Sequence, residues 1–480
     1  AYKMTRASAS HFAADFKRSE RWRARNFGAH YVHPPQLALK NRPPNVTFLT
    51  TDPPSPRLVD RSLRMIRSGF HLSILLMCLT ASTLVAEVFP DKDDFDKYGG
   101  YLAYKGTATG RFHVDVIDGR HFLVTPDGHG FLSMGVTHTR GLGIPEESRY
   151  DHLKQNFNGD WGTANAELVA LFRKVGYNTL GYGSHKSTRK LLPYFASCGP
   201  SGKVSSWQGK QVDYPDVFSE EWKTYASRSI ERMVKTYSGN SNLIGIYWTD
   251  MPAWDLKRAK RANGKTWVDA IRELPEDAPG KQRYARFLRE NEPNALDEDF
   301  MVIIAREIYS HIGPLTRKLA PDTLVFGERY AGVALPWRVI REALPWIDVV
   351  SVQPGATHFP KDDFDRLYRE TGKPIMICDH QSSFNTPEHN NVMWNTLSDV
   401  ASVGKAHATY LDQGFATTYL IGYCRCQYID RYKGGQKTLK QGLLQVDGKA
   451  YKDLVESVQK NNWRVHERFL DPSHKQQKGH

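Results

Sequence analysis

Acidic side chains that close short apolar runs are the residues here best placed to do chemistry. Leu243-Ile244-Gly245-Ile246-Tyr247-Trp248 is an almost unbroken apolar run, the pattern of a strand covered on both faces. It stops at Asp250-Met251-Pro252, and a proline cannot continue a sheet ladder. Pro374-Ile375-Met376-Ile377-Cys378 ends the same way at Asp379-His380-Gln381, and Thr323–Gly327 ends at Glu328-Arg329-Tyr330. Carboxyls brought to one end of a set of parallel strands can share a proton-transfer reaction, one giving the proton and the other acting as base or nucleophile. Asp250 and Asp379 are the leading pair, with Glu328 as a third candidate acid. Each has a plainer alternative: Asp250 as a helix cap, Asp379 as a partner of His380 or Arg425, and Glu328 as half of an ion pair.

Cations gather at the same strand ends: His138, Arg140, His185, Arg329, His380 and Arg425. Guanidinium pairs oxyanions bidentately, so such a set suits an anionic ligand as well as ordinary pairing with the acids. Trp254 follows Asp250 closely, and Trp161, Trp207, Trp248 and Trp337 add further flat apolar faces. No His-Glu-x-x-His or Cys-x-x-Cys spacing is present, so neither a metal nor another cofactor is expected. Cys198, Cys378, Cys424 and Cys426 read as buried thiols, the last two on one face of a strand.

The elements that must position these groups alternate. Phe112–Ile117 and His121–Thr125, joined by Asp118-Gly119-Arg120, predict a short β-hairpin. Strands are then expected over Gly130–Val136, Asn178–Tyr182, somewhere within Tyr194–Tyr214, Asn242–Thr249, Thr323–Gly327, Asp348–Val352, Pro374–Cys378 and Ala416–Tyr423. Helices are expected over Asn165–Lys174, Ser219–Tyr237, Asp297–Leu319 (broken at Gly313-Pro314), Trp394–Gln413 and Lys452–Asn462. Eight strand–helix units with polar strand ends predict an α/β chain of the (β/α)8 TIM-barrel class, with the hairpin at its N-terminal side. A doubly wound sheet would carry a glycine-rich phosphate loop, which is absent.

The net charge of +13 in 480 residues suggests a nucleic-acid binder until it is partitioned. Most of it sits in residues 1–64, a basic leader of disordered composition, read as an extension outside the working protein. Residues 65–86 have a basic start, an apolar Leu72–Leu79 core and small residues near Ala86, the layout of a secretory signal peptide. The remaining organisation is expected as 87–129 for the N-terminal extension and hairpin, 130–465 for the barrel and 466–480 for a disordered tail. Neither a nucleic-acid partner nor a membrane anchor after signal cleavage is expected. Nothing in the sequence specifies an oligomeric state.

Phe122-Leu123-Val124-Thr125-Pro126-Asp127-Gly128 followed by Phe131–Val136 resembles the opening of β-agarase-like glycoside hydrolases. Val175–Gly181, Tyr214–Phe218, Gly372–Ile377 and Gln441–Leu444 resemble later segments of that family in the same order. The resemblance covers Phe112 to Asn462. It implies a retaining barrel of clan A that cleaves β-linked galactose units of algal polysaccharide, with an acid/base Glu after strand four and a nucleophile Glu after strand seven. This chain departs at both, with Pro252 where the acid/base would stand and Asp379 in place of the nucleophile Glu. Two shortened acids would widen a gap of about 5–5.5 Å toward the roughly 6.5–9.5 Å of inverting enzymes. With the signal-like segment, the resemblance implies a secreted or periplasmic hydrolase of a galactan-type poly- or oligosaccharide, and the cations at the strand ends suit an anionic, sulfated one. The alternative is a non-catalytic carbohydrate-binding barrel that has lost its acid/base Glu.

Overall fold

The computed structural model describes residues 94–139, 160–332, 335–433, 438–446 and 448–470. All of them lie within one compact unit. The leader, the signal-like segment and Arg140 lie outside the described residues, as does most of the expected tail.

Four strands come first: β1 (Tyr101–Lys105), β2 (His113–Ile117), β3 (Arg120–Val124) and β4 (His129–Phe131). They form an antiparallel sheet in the order β1-β4-β3-β2, so the expected hairpin, β2 and β3, is one edge of a larger sheet. The turn between them sets Asp118 and Gly119 at φ 50° and 74°, a pair that needs residues tolerant of the left-handed region.

A second sheet holds nine strands: β5 (Ser133–Val136), β6 (Thr179–Leu180), β7 (Tyr194–Ser197), β8 (Leu243–Tyr247), β9 (Leu324–Val325), β10 (Arg329–Ala331), β11 (Val350–Gln353), β12 (Ile375–His380) and, after the short parallel pair β13 (Ser383–Phe384) and β14 (Thr396–Leu397), β15 (Leu420–Arg425). Its order is β10-β11-β12-β15-β5-β6-β7-β8-β9, and every pairing in it is parallel. β5, β12 and β15 are buried at every residue, which is why these segments read as unbroken apolar runs. A last antiparallel pair, β16 (Arg431–Lys433) and β17 (Thr438–Lys440), follows β15.

Ten α-helices are described: α1 (Trp161–Lys174), α2 (Glu220–Tyr237), α3 (Leu256–Asn263), α4 (Trp267–Arg272), α5 (Pro279–Asn291), α6 (Asp297–Leu319), α7 (Trp337–Ala343), α8 (Lys361–Thr371), α9 (Val400–Phe415) and α10 (Lys452–Leu470). Three sequence expectations shift. α6 runs unbroken through Pro314, because its apolar face is fixed in the core and Gly313 lies directly against the Trp346 ring. The helix expected from Trp394 begins instead after Asp399, whose side chain caps the Ser402 amide. α10 extends to Leu470, packing Val465, His466 and Phe469 inward, so part of the expected tail is core.

Phe195, Tyr247, Phe326, Met376, Cys378 and Cys424 of the parallel strands form one buried cluster with Phe112, Leu123 and Phe131 of the antiparallel sheet. The antiparallel sheet docks at the start of β15. His121 donates its amide to the Thr418 carbonyl, and the buried Arg120 guanidinium donates to the carbonyls of Phe415 and Leu420 at 3.0 and 2.8 Å. That covers the N-terminal ends of the strands and leaves their C-terminal ends to the loops that carry Asp250 and Asp379.

Candidate active site

Asp250 follows β8 on a segment that pairs with the start of β10. Arg329 donates its amide to the Thr249 carbonyl, and Met251 donates to the Arg329 carbonyl. The same two positions pair through their side chains, with Arg329 Nη2 2.9 Å from Asp250 Oδ1. Gln353 Nε2, from the end of β11, donates to Oδ1 at 2.7 Å, and Trp207 Nε1 donates to Oδ2 at 2.9 Å. The Arg329 guanidinium is buried and lies 3.3 Å from the centre of the Tyr182 ring. Asp250 is therefore a carboxylate fixed by one cation and two neutral donors. It does not cap a helix; Asp255 does that for α3.

Asp379 is the penultimate residue of β12 and is buried. Burial raises its pKa, and the Lys440 ammonium, 4.0 Å from Oδ2, partly offsets that rise. Lys440 arrives on β17. Its Nζ is 3.2 Å from His138 Nε2, which the Tyr182 hydroxyl also contacts at 2.9 Å. A lysine only donates, so His138 Nε2 accepts and the ring proton resides on Nδ1. Burial opposes the Lys440 charge, but Cys426 and Asp379 outweigh it and hold its pKa above the usual lysine range. Ligating atoms of His138, Asp379 and Cys426 lie within 4.8 Å of one another. The ammonium beside them supplies positive charge at that spot, and burial keeps the Cys426 thiol protonated, with its pKa pushed up to about 12.

Asp250 and Asp379 line one cavity of about 780 Å³, with His138, Tyr182, Trp207, Gln353, Trp394 and Lys440 among its other walls. That is the size range of a small-molecule site. Trp207 and Trp394 are 48% and 40% exposed, unusual for a large apolar ring, and both face this cavity. Backbone strain gathers here too. His138, Met251, Trp394 and Asn395 have φ of 60°, 44°, 62° and 46°, a region costly for residues with a Cβ.

The other expected residues are placed elsewhere by the pleat. Successive strand residues face opposite ways, so Asp379 facing the cavity sends His380 outward. There it stacks on Tyr410 of α9 at 4.0 Å, with Nδ1 against the Tyr423 hydroxyl and Nε2 against the Ala356 carbonyl. Burial lowers its pKa to about 4, so it is neutral. Arg425, between Cys424 and Cys426, is fully buried and donates to the Ser382 carbonyl. Arg329 faces Asp250, so Glu328 faces the helices. Trp254 Nε1 and the Tyr309 hydroxyl both donate to its Oε2 at 2.7 Å, while Oε1 has no hydrogen-bond partner. Burial pushes Glu328 up to about 8, against those two hydrogen bonds. Trp254 is itself buried, stacked on Trp267 with centroids 5.4 Å apart. His185 contacts Ser187 and does not line the cavity.

Trp394, Lys440, Gln353 and Tyr182 were not singled out by the sequence. Gln353 carried a faint signal, since it closes the run Asp348–Val352. Lys440 and Trp394 carried none, because both arrive on excursions beyond strand ends.

No protein-family model matches the chain, and no curated protein matches it. Solved structures do. An agarase, AgWH50C, superposes with a TM-score of 0.67 at 17% identity, over 82% of this chain and 69% of that one. PfGH50B gives 0.68 at 16% identity over 83% and 72%, and an exo-beta-agarase gives 0.67 at 17% over 82% and 70%. The resemblance carried by the ordered sequence segments is thus matched in three dimensions, and at this identity it is one of architecture: the chain has the fold of these agarases.

Proposed function

We propose that this protein is a glycoside hydrolase acting on a β-linked galactan-type poly- or oligosaccharide, with Asp250 and Asp379 as its carboxyl pair. The observation that carries the reading is a single cavity lined by both acids and by two exposed tryptophans. Glycosidic cleavage needs two carboxyls across one bond, and flat apolar rings suit sugar faces. Asp379, whose pKa burial raises, is the proton donor in this reading. Asp250, held by Arg329, Gln353 and Trp207, is the base that activates water. Glu328 supports the segment bearing Trp254 and is not part of the pair.

The strands close a complete (β/α)8 barrel in this proposal. β9 and β10 are two parts of one fifth strand, separated by Phe326–Glu328, and they pair with β8 and β11 respectively. Export through the Met65–Ala86 segment belongs to the proposal as well; N-terminal sequencing of the exported protein should begin near Glu87.

Asp379→Asn and Asp250→Asn should each lower reducing-sugar release from agar-type galactan oligosaccharides by about 10²–10⁴-fold, the usual contribution of a positioned acid or base. The first-formed anomer, read by NMR, should be inverted. A protein that binds these sugars but releases no reducing ends, with both variants unchanged in binding, would be the carbohydrate-binding barrel that Pro252 suggests.

A further inference from the structure

Among the described residues, the arginines expected to greet an anionic sugar at the strand ends are occupied. Arg329 is paired with Asp250, Arg425 is buried away from the cavity, and His380, neutral through burial, reaches only the smaller pocket beside it. A different set stands free. The Asp250–Asp379 cavity shares Met251, Gln353, Asp379 and Trp394 with a smaller pocket of about 150 Å³. That pocket in turn shares Arg258 and Gly332 with a third cavity of about 770 Å³. The three make one groove running from the acids toward α3 and α7, and Arg258 stands at the second junction.

α3 reads Leu-Lys-Arg-Ala-Lys-Arg-Ala-Asn, with four cations and no acid. Lys260 is spent on Asp269 at 3.0 Å, and Arg338 across the third cavity is spent on Asp299 at 2.6 Å. Lys257, Arg258 and Arg261 all line the third cavity, and none of the three has an ion-pair partner among the described residues. Two acids line it as well, Asp255 and Glu298. Asp255 already accepts from the Arg258 amide as the cap of α3. Arg258 is half-buried, and its charge is disfavoured by burial, helped by Asp255 and opposed again by Arg261. Two neighbouring guanidiniums, one half-buried and one exposed, with no salt bridge to either acid of the wall are a site for an oxyanion, because each can chelate it bidentately. Trp337 lines the same cavity, with Arg366 4.7 Å from the centre of its ring. Its presence adds an aromatic wall for a sugar ring beside the cations.

We propose that this end of the groove is a subsite for an acidic substituent of the saccharide, a sulfate ester or a carboxylate, read by Arg258 with Arg261. The inference rests on the saccharide reading above and gives it a substrate class: an anionic galactan rather than a neutral one. Selection occurs at a distance from the cleaved bond, on a helix that directly follows the Asp250 segment.

The test is calorimetric binding by the full chain carrying Asp379→Asn, which should slow turnover, of a sulfated galactan oligosaccharide and its desulfated counterpart. The sulfated sugar should bind about tenfold more tightly, the size of one charge-assisted contact. Arg258→Gln combined with Arg261→Gln should erase that preference and leave the desulfated sugar's affinity unchanged. Arg258→Lys, which keeps the charge and the helix, should retain part of it. Equal binding of the two sugars, a preference that survives the double variant, or equally tight binding of dextran sulfate would overturn the subsite while leaving the hydrolase reading standing. Failure of both sugars to bind would remove both.

Discussion

Glu328 is a carboxylic acid held where water does not reach it, with one oxygen bonded twice and the other not at all. Burial holds its folded pKa at about 8, above the ordinary glutamate value of 4.5. Between those values the unfolded chain releases a proton that the folded chain keeps, so stability must fall as pH rises through this window, by roughly 1.4 kcal/mol per pH unit at most. Glu328→Gln should flatten that slope, measured as Tm against pH from 5 to 8. Lys440 makes a second prediction. Its charge lowers the Asp379 pKa, so Lys440→Met should raise it and move the basic limb of the pH–rate profile to higher pH. A limb that stays fixed would show that Asp379 is not the proton donor. Asp250 and Asp379 were legible because each closes an apolar run. Expecting Glu328 and Arg425 at the cavity came from treating a strand end as a point, when adjacent residues there face opposite layers.

At the scale of elements, strands were easier to read than helices. β12 and β15 are buried on both faces, so their composition alone announces them. α3, α4 and α5 fall in the charged stretch after Asp255, where few apolar residues mark a face, and they escaped notice. Trp394 and Asn395 read as the start of α9 because Trp, Leu and Val recur at helical spacing there; the cap at Asp399 settles where the helix begins. Close approach of strands imposes its own demand. A Cβ on Gly245 of β8 would lie 2.6 Å from the Leu324 carbonyl oxygen of β9, against backbone that cannot swing aside. Gly245→Ala should cost about 1–3 kcal/mol, seen as a lowered midpoint in urea.

For the whole molecule, the antiparallel sheet closes one end of the strand assembly and the groove crosses the other. Residues 1–86 stand outside the working protein in this reading, so a chain lacking them should keep its Tm and its saccharide binding. It should also keep the salt dependence of that binding; a large drop in affinity for nucleic acid on truncation would revive the basic leader as a functional part. The order of the parallel units was legible from alternating apolar runs and turns. The groove was not, because it joins loops from β8, β10, β11 and β12 that are distant along the chain.

The left-handed backbone at His138, Met251, Trp394 and Asn395 has a cost that falls on the walls of the Asp250–Asp379 cavity and the pocket beside it. Met251→Gly would relieve the backbone at that position but delete a buried side chain, so a chain so altered should melt lower and also hydrolyse less, since the turn would no longer be obliged to aim Asp250. Strain and packing thus meet in one side chain there, and easing the first forfeits the second.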